Sequence, residues 1–485
     1  MSSSTSLSDS PVSSVKAMER ESQHSNVLEK NNHLHDQEPV SNHTEANILP
    51  EVETEPQVSE KLPNGDAEKG GPPHAPPNPM MDPKSFPDGG LDAWLCVLGG
   101  FCALFCSFGW INCIGVFQEY YQTHQLSQYS ASTISWIPSC EAFMMFFGGP
   151  IIGKLYDNYG PRYILLVGSF LHVFGLMMAS LSSEYYQFIL SQGIVSAMGA
   201  SAIFYPAMST NATWFFRRRA LAFGLMAAGS SIGGVIFPIM VTHLIPEVGF
   251  AWTMRICAFL ILFLMTIANL TIKSRIPPMP KPLAPIEFVL PFKEMPYLML
   301  TIGSFLFFMG MFLPINYLIV QATSEGMSAH LASYLIPILN ALSLFGRVLP
   351  GYVGDKIGRY NVMLVLCALT AVLDLALWIP ASGNAALIVF AAAYGFGSGA
   401  FVSMAPALIA QISDVRKIGV RSGAMFAVIS IAALVSNPIA GAIVGAEDGS
   451  FTGLKIFCGV MQVAGAVFIF FSRTALVGLK LKVKV

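Results

Sequence analysis

From residue 93 onward the chain is a succession of long apolar runs broken by short stretches of Gly, Pro, Asp, Lys and Arg. A helix needs about 20 apolar residues to cross the hydrocarbon core, because each of its backbone hydrogen bonds must close within the segment. Twelve windows satisfy this, at 93–118, 134–156, 163–180, 187–209, 220–244, 252–272, 295–320, 331–353, 360–379, 385–409, 422–444 and 451–471. The pattern predicts an all-α membrane protein with 12 transmembrane helices in two six-helix halves. The halves are expected at 87–272 and 295–472, joined by a cytoplasmic linker at 273–294, with tails at 1–86 and 473–485. Pairs of glycines at four-residue spacing (229/233, 395/399 and 441/445) are expected to let helices pack closely. Prolines 206, 238, 314, 406 and 438 fall inside the spans, where kinks are tolerated beside a cavity.

The first 86 residues are different. They are rich in Ser, Glu, Asn, Pro and His, and no aromatic residue precedes Phe86. Such a segment cannot bury enough apolar surface to offset its chain entropy, so it is expected to be a disordered cytoplasmic tail. It lacks a basic stretch followed by an apolar run, the mark of a cleaved signal peptide. Composition sharpens the contrast, since 53% of the 485 residues are hydrophobic and 12% charged, while residues 1–92 carry −10 and the rest +8. One ordinary soluble domain is excluded, because helices apolar on every face are solvated by lipid. The acidic tail argues against a nucleic-acid partner. The tail histidines (His24, His33, His35, His43 and His74) are irregularly spaced, and all eight cysteines fall in apolar runs. Neither set has metal-ligand spacing, so no metal is expected. No P-loop or other nucleotide motif appears, so neither a cofactor, an enzyme nor an ATP-driven pump is expected.

Orientation follows from Lys and Arg. One alternate set of connections, with the C-terminal segment, holds 18 of them, including Lys154, Arg162, Arg217, Arg218, Arg219 and Arg421; the other set holds only Arg255 and Lys455. This bias puts both termini and the linker in the cytoplasm of a multi-pass protein, most simply in the plasma membrane. The sequons at Asn42 and Asn211 are then cytoplasmic and that at Asn269 lies in a span, so none is expected to be glycosylated.

The connection after the second window reads Gly153-Lys-Leu-Tyr-Asp157-Asn-Tyr-Gly160-Pro-Arg162, and that after the eighth reads Gly351-Tyr-Val-Gly-Asp355-Lys-Ile-Gly358-Arg359. Gly, Asp and Gly recur at an offset of 198 residues, which implies duplicated halves. Gly153 and Gly351 would let helices approach. Asp157 and Asp355 would accept hydrogen bonds from a facing helix N-terminus or pair with Arg162 and Arg359, locking the cytoplasmic side while the carrier opens outward. A solvated turn is the alternative for one such loop; the repeat, which also includes Gly160 and Gly358, favours the gate.

These paired loops resemble the signature of the Major Facilitator Superfamily. Three further stretches resemble its monocarboxylate-porter branch, particularly a fungal subgroup: Pro87-Asp-Gly-Gly-Leu-Asp-Ala-Trp94, Trp214-Phe-Phe-Arg-Arg-Arg-Ala-Leu-Ala-Phe-Gly224 and Gly346-Arg347-Val-Leu-Pro-Gly351. The resemblance spans about 86–471 and implies a transporter. Two positions depart from the proton-coupled carriers of that branch: Asn112 stands where they have Lys, and Ser343 where they have Asp. The lactate-proton mechanism is therefore not carried over. Drug-proton antiporters match poorly too, with Ser191-Gln-Gly193 where they place an Arg.

Ionisable groups inside a span cost about 2.5–3.5 kcal/mol on insertion scales, which makes each a functional candidate. Arg347 is expected to fix an anionic part of a substrate or to tie helices, and also matches the family's helix 8 Arg. Glu141 is a candidate proton site or a helix-to-helix bond. Asp374 is a weaker candidate, and His172 is expected to be packed. Asn112, Tyr205, Asn316, Asn340 and Ser403 are expected to line a translocation cavity. The chain is thus expected to be a monomeric secondary active or facilitative transporter in the lipid bilayer. It would move a small organic compound, with or without protons, by alternating access. Export of a secondary metabolite is favoured; uptake of a monocarboxylate or riboflavin-like nutrient, and a non-transporting sensor, are the alternatives.

Overall fold

The computed structural model describes residues 83–282, 284–480 and 483–485. The expected tail up to residue 82, with its five histidines and the Asn42 sequon, lies outside the described residues. Every regular element among the described residues is a helix. The long ones are α1 (Leu91–Thr123), α2 (Trp136–Phe147), α3 (Gly149–Tyr159), α4 (Arg162–Ala179), α5 (Tyr185–Trp214) and the run Arg219–Thr271, divided here into α6 (219–248) and α7 (250–271). After a short linker helix α8 (Ile286–Val289) come α9 (Met295–Ser324), α10 (Ala329–Ile357), α11 (Arg359–Trp378), α12 (Gly383–Gln411), α13 (Val415–Ala446) and α14 (Thr452–Val477).

Ten helices among the described residues are long and apolar enough to cross a membrane. The second apolar window appears as two shorter helices, α2 and α3, meeting at Gly148, where Pro150 withholds a backbone donor from the ladder. The fifth and sixth windows are the arms of one helical run, interrupted where Gly249 takes φ 78°. Several helices outrun their windows, because polar and aromatic residues continue the helix past the hydrocarbon. The clearest case is α14, which extends to Val477, so Arg473–Val477 are helical and not part of a tail.

Among α1–α7, α1 packs along α6 and α7, and α4 along α5; among α9–α14, α9 packs on α14 and α10 on α12. The two groups meet along two seams, α6 against α10 and α2–α3 against α13. Small residues set both kinds of contact. Gly229 lies against the Phe101 carbonyl of α1 and Gly395 against the Leu339 carbonyl of α10. The third expected pair differs: Gly445 has no neighbour within 4 Å and Gly441 meets only the Tyr317 hydroxyl, so close packing does not explain it. Large apolar side chains such as Phe170, Phe263 and Val365 are exposed on the outside of the bundle, as a lipid-facing surface requires. Seven of the eight cysteines are buried, in keeping with a packing role.

Candidate translocation cavity and gate

Three of the polar span residues meet in one cavity. Arg347 and Asn340 on α10 and Asn112 on α1 line a small space of about 20 Å³, room for about one water, between α1, α9, α10 and α12. Ser343 and Ser398 add hydroxyls to the lining, and Phe108, Met311, Phe312 and Leu339 add apolar surface. The Asn340 amide donates to Asn112 Oδ1 at 3.4 Å and to the Ile336 carbonyl at 3.1 Å, so one long side-chain bond links α1 to α10.

Arg347 is only 4% exposed. Its Nε donates to Ser343 Oγ at 3.2 Å, and its Nη1 donates to the Ala227 carbonyl at 2.7 Å and to Ser230 Oγ, both on α6. The Arg347 hydrogen bonds found among the described residues use Nε and Nη1, not Nη2, and no acidic residue lines the cavity. Arg347 therefore ties α10 to α6 and also brings a cation to the cavity wall. With oxygen acceptors but no carboxylate beside it, the guanidinium keeps its charge and could accept a further anionic or strongly accepting group.

The other four expected pathway residues lie outside the cavity lining. Ser403 Oγ donates to the Arg347 carbonyl at 3.2 Å, bracing α12 on α10. The Tyr205 hydroxyl donates to the Phe146 carbonyl at 2.7 Å, and its ring meets Phe426 at 6.0 Å. Asn316 Nδ2 donates to Asn437 Oδ1 at 2.8 Å, joining α9 to α13. Glu141 is buried among α1, α2 and α5; Gln192 Nε2 donates to its Oε2 at 3.0 Å, and the Tyr121 hydroxyl donates to Gln192 Oε1 at 2.6 Å. His172 is packed as expected, 2.9 Å from Ser196 Oγ and 3.1 Å from the Cys106 carbonyl. Asp374 is fully buried on a π-helical stretch at Leu373–Trp378, with neither oxygen hydrogen-bonded.

An aromatic layer adjoins the cavity, and residue-type reasoning did not single it out. Phe108, Phe146 and Phe204 from α1, α2 and α5 meet Phe308, Phe312 and Phe426 from α9 and α13. Phe108 and Phe312 are 6.0 Å apart, Phe146 and Phe308 5.5 Å, and Phe146 stacks on Phe426 at 5.7 Å. With 35 phenylalanines along the chain, no spacing marks these six.

Past this layer, on the face that carries the basic connections, the two seams are closed. Gly153 lies against the Gly419 carbonyl, and Gly351 against that of Ala220; a side chain at either would collide with backbone. Asp157 accepts from the Gly419 and Val420 amides at 3.0 and 2.9 Å, at the start of α13. Asp355 accepts from the Ala220 and Leu221 amides at 3.1 and 2.9 Å, at the start of α6. Both carboxylates thus satisfy donors that a helix N-terminus leaves unpaired. Gly160 and Gly358 end their helices at φ 76° and 112°.

The arginines of the repeat diverge. Arg359 pairs with Asp355 at 2.8 Å, whereas no ion pair joins Arg162 to Asp157. The two loops differ in length by Pro161: Arg359 follows Asp355 by four residues across the turn at Gly358, while Arg162 follows Asp157 by five. Arg359 Nη2 further donates to the Phe216 carbonyl at 2.7 Å across the seam.

Other closing contacts come from residues read only as positive charge or loop. Arg219 is buried; its Nη1 donates to the Ala410 carbonyl at 2.8 Å. Lys154 pairs with Glu287 of α8 at 2.5 Å, and Arg421 grips Glu294 with two bonds, at 2.8 and 2.6 Å. Those bonds hold the Glu294 carboxyl below the usual carboxylate range.

The profile of the Major Facilitator Superfamily matches residues 99–373 and 300–482. An MFS-type transporter of Ophiocordyceps sp. (strain BCC 1869) is 59% identical over 85% of this chain and 92% of its own length. The fujikurins efflux protein of Gibberella fujikuroi is 48% identical over 80% and 83%, and the aspyridones efflux protein of Emericella nidulans 42% over 82% and 80%. Among solved structures, the E. coli transporter FucP in the outward conformation superposes with a TM-score of 0.62 at 15% identity, covering 78% of this chain and 98% of that one. At that identity the likeness concerns the fold alone.

Proposed function

Since the chain belongs to the Major Facilitator Superfamily, and so is a multi-pass membrane protein that moves a small molecule across the bilayer, we propose that it exports a small organic secondary metabolite by alternating access. Relatives named for the efflux of fujikurins and aspyridones support the direction and the class of cargo. We read twelve spans, taking α2–α3 as one and α6 and α7 as two, in halves at 87–272 and 295–472. The Lys and Arg bias supports cytoplasmic termini, and the plasma membrane is the location at which export reaches the medium. The motifs before α1 and α6 and around Arg347 support the monocarboxylate-porter-like branch, while Asn112 and Ser343 argue against its lactate-proton chemistry.

The observation that carries the reading is a cavity between the two helix groups above a seam closed by Asp157 and Asp355. Its cationic Arg347 and its Phe108 and Phe312 rings suit a cargo with an apolar, ring-bearing body and one acidic or accepting group. Closure on the basic face leaves the cavity to exchange with the opposite side, and breaking the seams would expose it to the cytoplasm for loading. Comparing metabolites inside and outside cells lacking the protein should reveal a retained compound. Flux of that compound in proteoliposomes then tests transport, and binding without flux would overturn the proposal.

A further inference from the structure

The motif just ahead of α1 and the motif just ahead of α6 are 126 residues apart, from Asp88 to Trp214, yet they form one knot on the basic face. The Asp88 amide donates to the Trp214 carbonyl at 3.2 Å. A single oxygen of its side chain, Oδ1, accepts from the Phe216 and Arg217 amides at 2.7 Å each and from the Arg218 amide at 3.3 Å. Asp88 itself sits at φ 50°, a left-handed conformation that residues other than Gly adopt at a cost and keep only where surrounding contacts impose it. Phe86, two residues earlier, is buried against Phe216 at 5.5 Å, with Arg275 4.6 Å over its ring and Arg219 5.7 Å away.

Phe216 is where this knot meets the seam. Its amide is held by Asp88 and its carbonyl receives Arg359 Nη2 at 2.7 Å, from the other helix group. Arg359 is in turn paired with Asp355, which caps Ala220 and Leu221 only a turn beyond Phe216. Arg219, between those sites, donates to the Phe215 carbonyl at 2.8 Å and to that of Ala410 in the second group, also at 2.8 Å. One turn of backbone, 215–221, therefore carries the contacts from both sides.

We propose that Asp88 is a positioning residue of the gate. It holds the turn before α6 so that the Phe216 carbonyl and the α6 amides are presented together to Arg359 and Asp355, which puts the chain entering α1 in mechanical series with closure of the basic face. The gate is the one invoked for alternating access above, so the inference rests on that reading. The alternative is a local cap that orders three amides and nothing more.

Amide hydrogen exchange of the full-length protein in lipid nanodiscs separates the two without needing the cargo, so it stands apart from the identity of the substrate. In Asp88→Ala, exchange should accelerate by about tenfold at 216–218 and also at 220 and 221, whose bonds go to Asp355; tenfold corresponds to losing roughly one charge-assisted bond. Asp88→Asn keeps an oxygen acceptor and a tolerance for the left-handed conformation, and should restore most of the protection. Acceleration confined to 216–218 would overturn the proposal. Should Asp88→Ala not accumulate folded, the same exchange measurement on Asp88→Gly, which keeps the left-handed backbone but loses the acceptor, on Arg359→Lys and on the double variant replaces it. Non-additive protection at 220 and 221 supports coupling through Phe216, and additivity refutes it.

Discussion

Replacing Asp355 tests whether the repeated carboxylates hold the two helix groups together. Asp355 lies in the second group, and the amides it caps, Ala220 and Leu221, lie in the first, so these bonds exist only while that seam is closed. Side-chain exposure of 9% for Asp355 and 12% for Arg359 leaves little water to replace them. A hydrogen bond to a charged group is worth about 1.5–3 kcal/mol net, and two such bonds at the lower figure give about 3 kcal/mol for Asp355→Ala. That is roughly a 150-fold change in the ratio of closed to open molecules. Asp355→Asn retains one acceptor and should show about half that free energy. Spin labels on cysteines replacing Arg162 and Lys417, on opposite sides of the α3–α13 seam, report the separation on the basic face by electron-electron distance measurement. Asp355→Ala should add a population at longer distance and slow transport. A wild-type distance distribution together with a wild-type rate would refute the assignment of Asp355 as a lock.

Gly153→Val places a branched side chain on the Gly419 backbone; overpacking of this kind costs about 1–3 kcal/mol, and the closed population should fall in the same distance experiment. Arg347→Ala should abolish flux, and Arg347→Lys should not restore it, because one ammonium cannot reproduce the fork that reaches Ala227, Ser230 and Ser343; a transporting Ala variant removes Arg347 from the binding site. Glu141→Gln should flatten the pH dependence of proteoliposome flux if Glu141 carries a proton, and an unchanged profile takes it out of coupling. Glu294 gives a stability test with a defined sign. A carboxyl held below its ordinary 4.5 stabilises the fold above that pH and loses the contribution as pH falls through its lowered folded value. The melting difference between wild type and Glu294→Gln should therefore be constant across neutral pH and shrink only under acid; a difference that grows below pH 4.5 contradicts the Arg421 tie.

The all-helical fold and the ten apolar helices among the described residues long enough to cross a membrane were legible because lipid imposes one rule, internal closure of backbone hydrogen bonds, on long apolar windows. The repeat was legible because glycine at a crossing and aspartate at a facing helix start are narrow chemical requirements, and both recur 198 residues apart. Cavity residues were harder. Arg347, Asn112 and Asn340 converge, but Tyr205, Asn316 and Glu141 satisfy their polar atoms on neighbouring helices, and a single window shows polarity without showing which way it faces. Arg219 and Lys154 illustrate the opposite loss. Counted as positive charges that orient the chain, both are buried and bonded at the seams. Asp88 had a visible cue, a carboxylate followed by two glycines before a helix, but its partners lie more than a hundred residues away.

The repeated Gly–Asp–Gly loops place one aspartate at each of two seams, yet the seams are braced differently. The amides that meet the two aspartates, 220 and 221 in one case and 419 and 420 in the other, are themselves offset by 199 residues, so each aspartate and its partner amides recur at nearly the same spacing. The loops differ by one inserted residue, Pro161, which puts Arg162 one position further from Asp157 than Arg359 is from its partner Asp355. Without an arginine paired to Asp157, the α3–α13 seam is braced by other cations of its own two helices. Lys154 reaches Glu287 and Arg421 reaches Glu294, both carboxylates of the segment linking the two helix groups. The α6–α10 seam keeps its arginine and adds Arg219 and the Phe86–Asp88 knot instead. The α3–α13 seam is therefore tied to the linker through Glu287 and Glu294, whereas the α6–α10 seam is tied to the chain entering α1, with Arg275 of the linker packed on the same knot at Phe86.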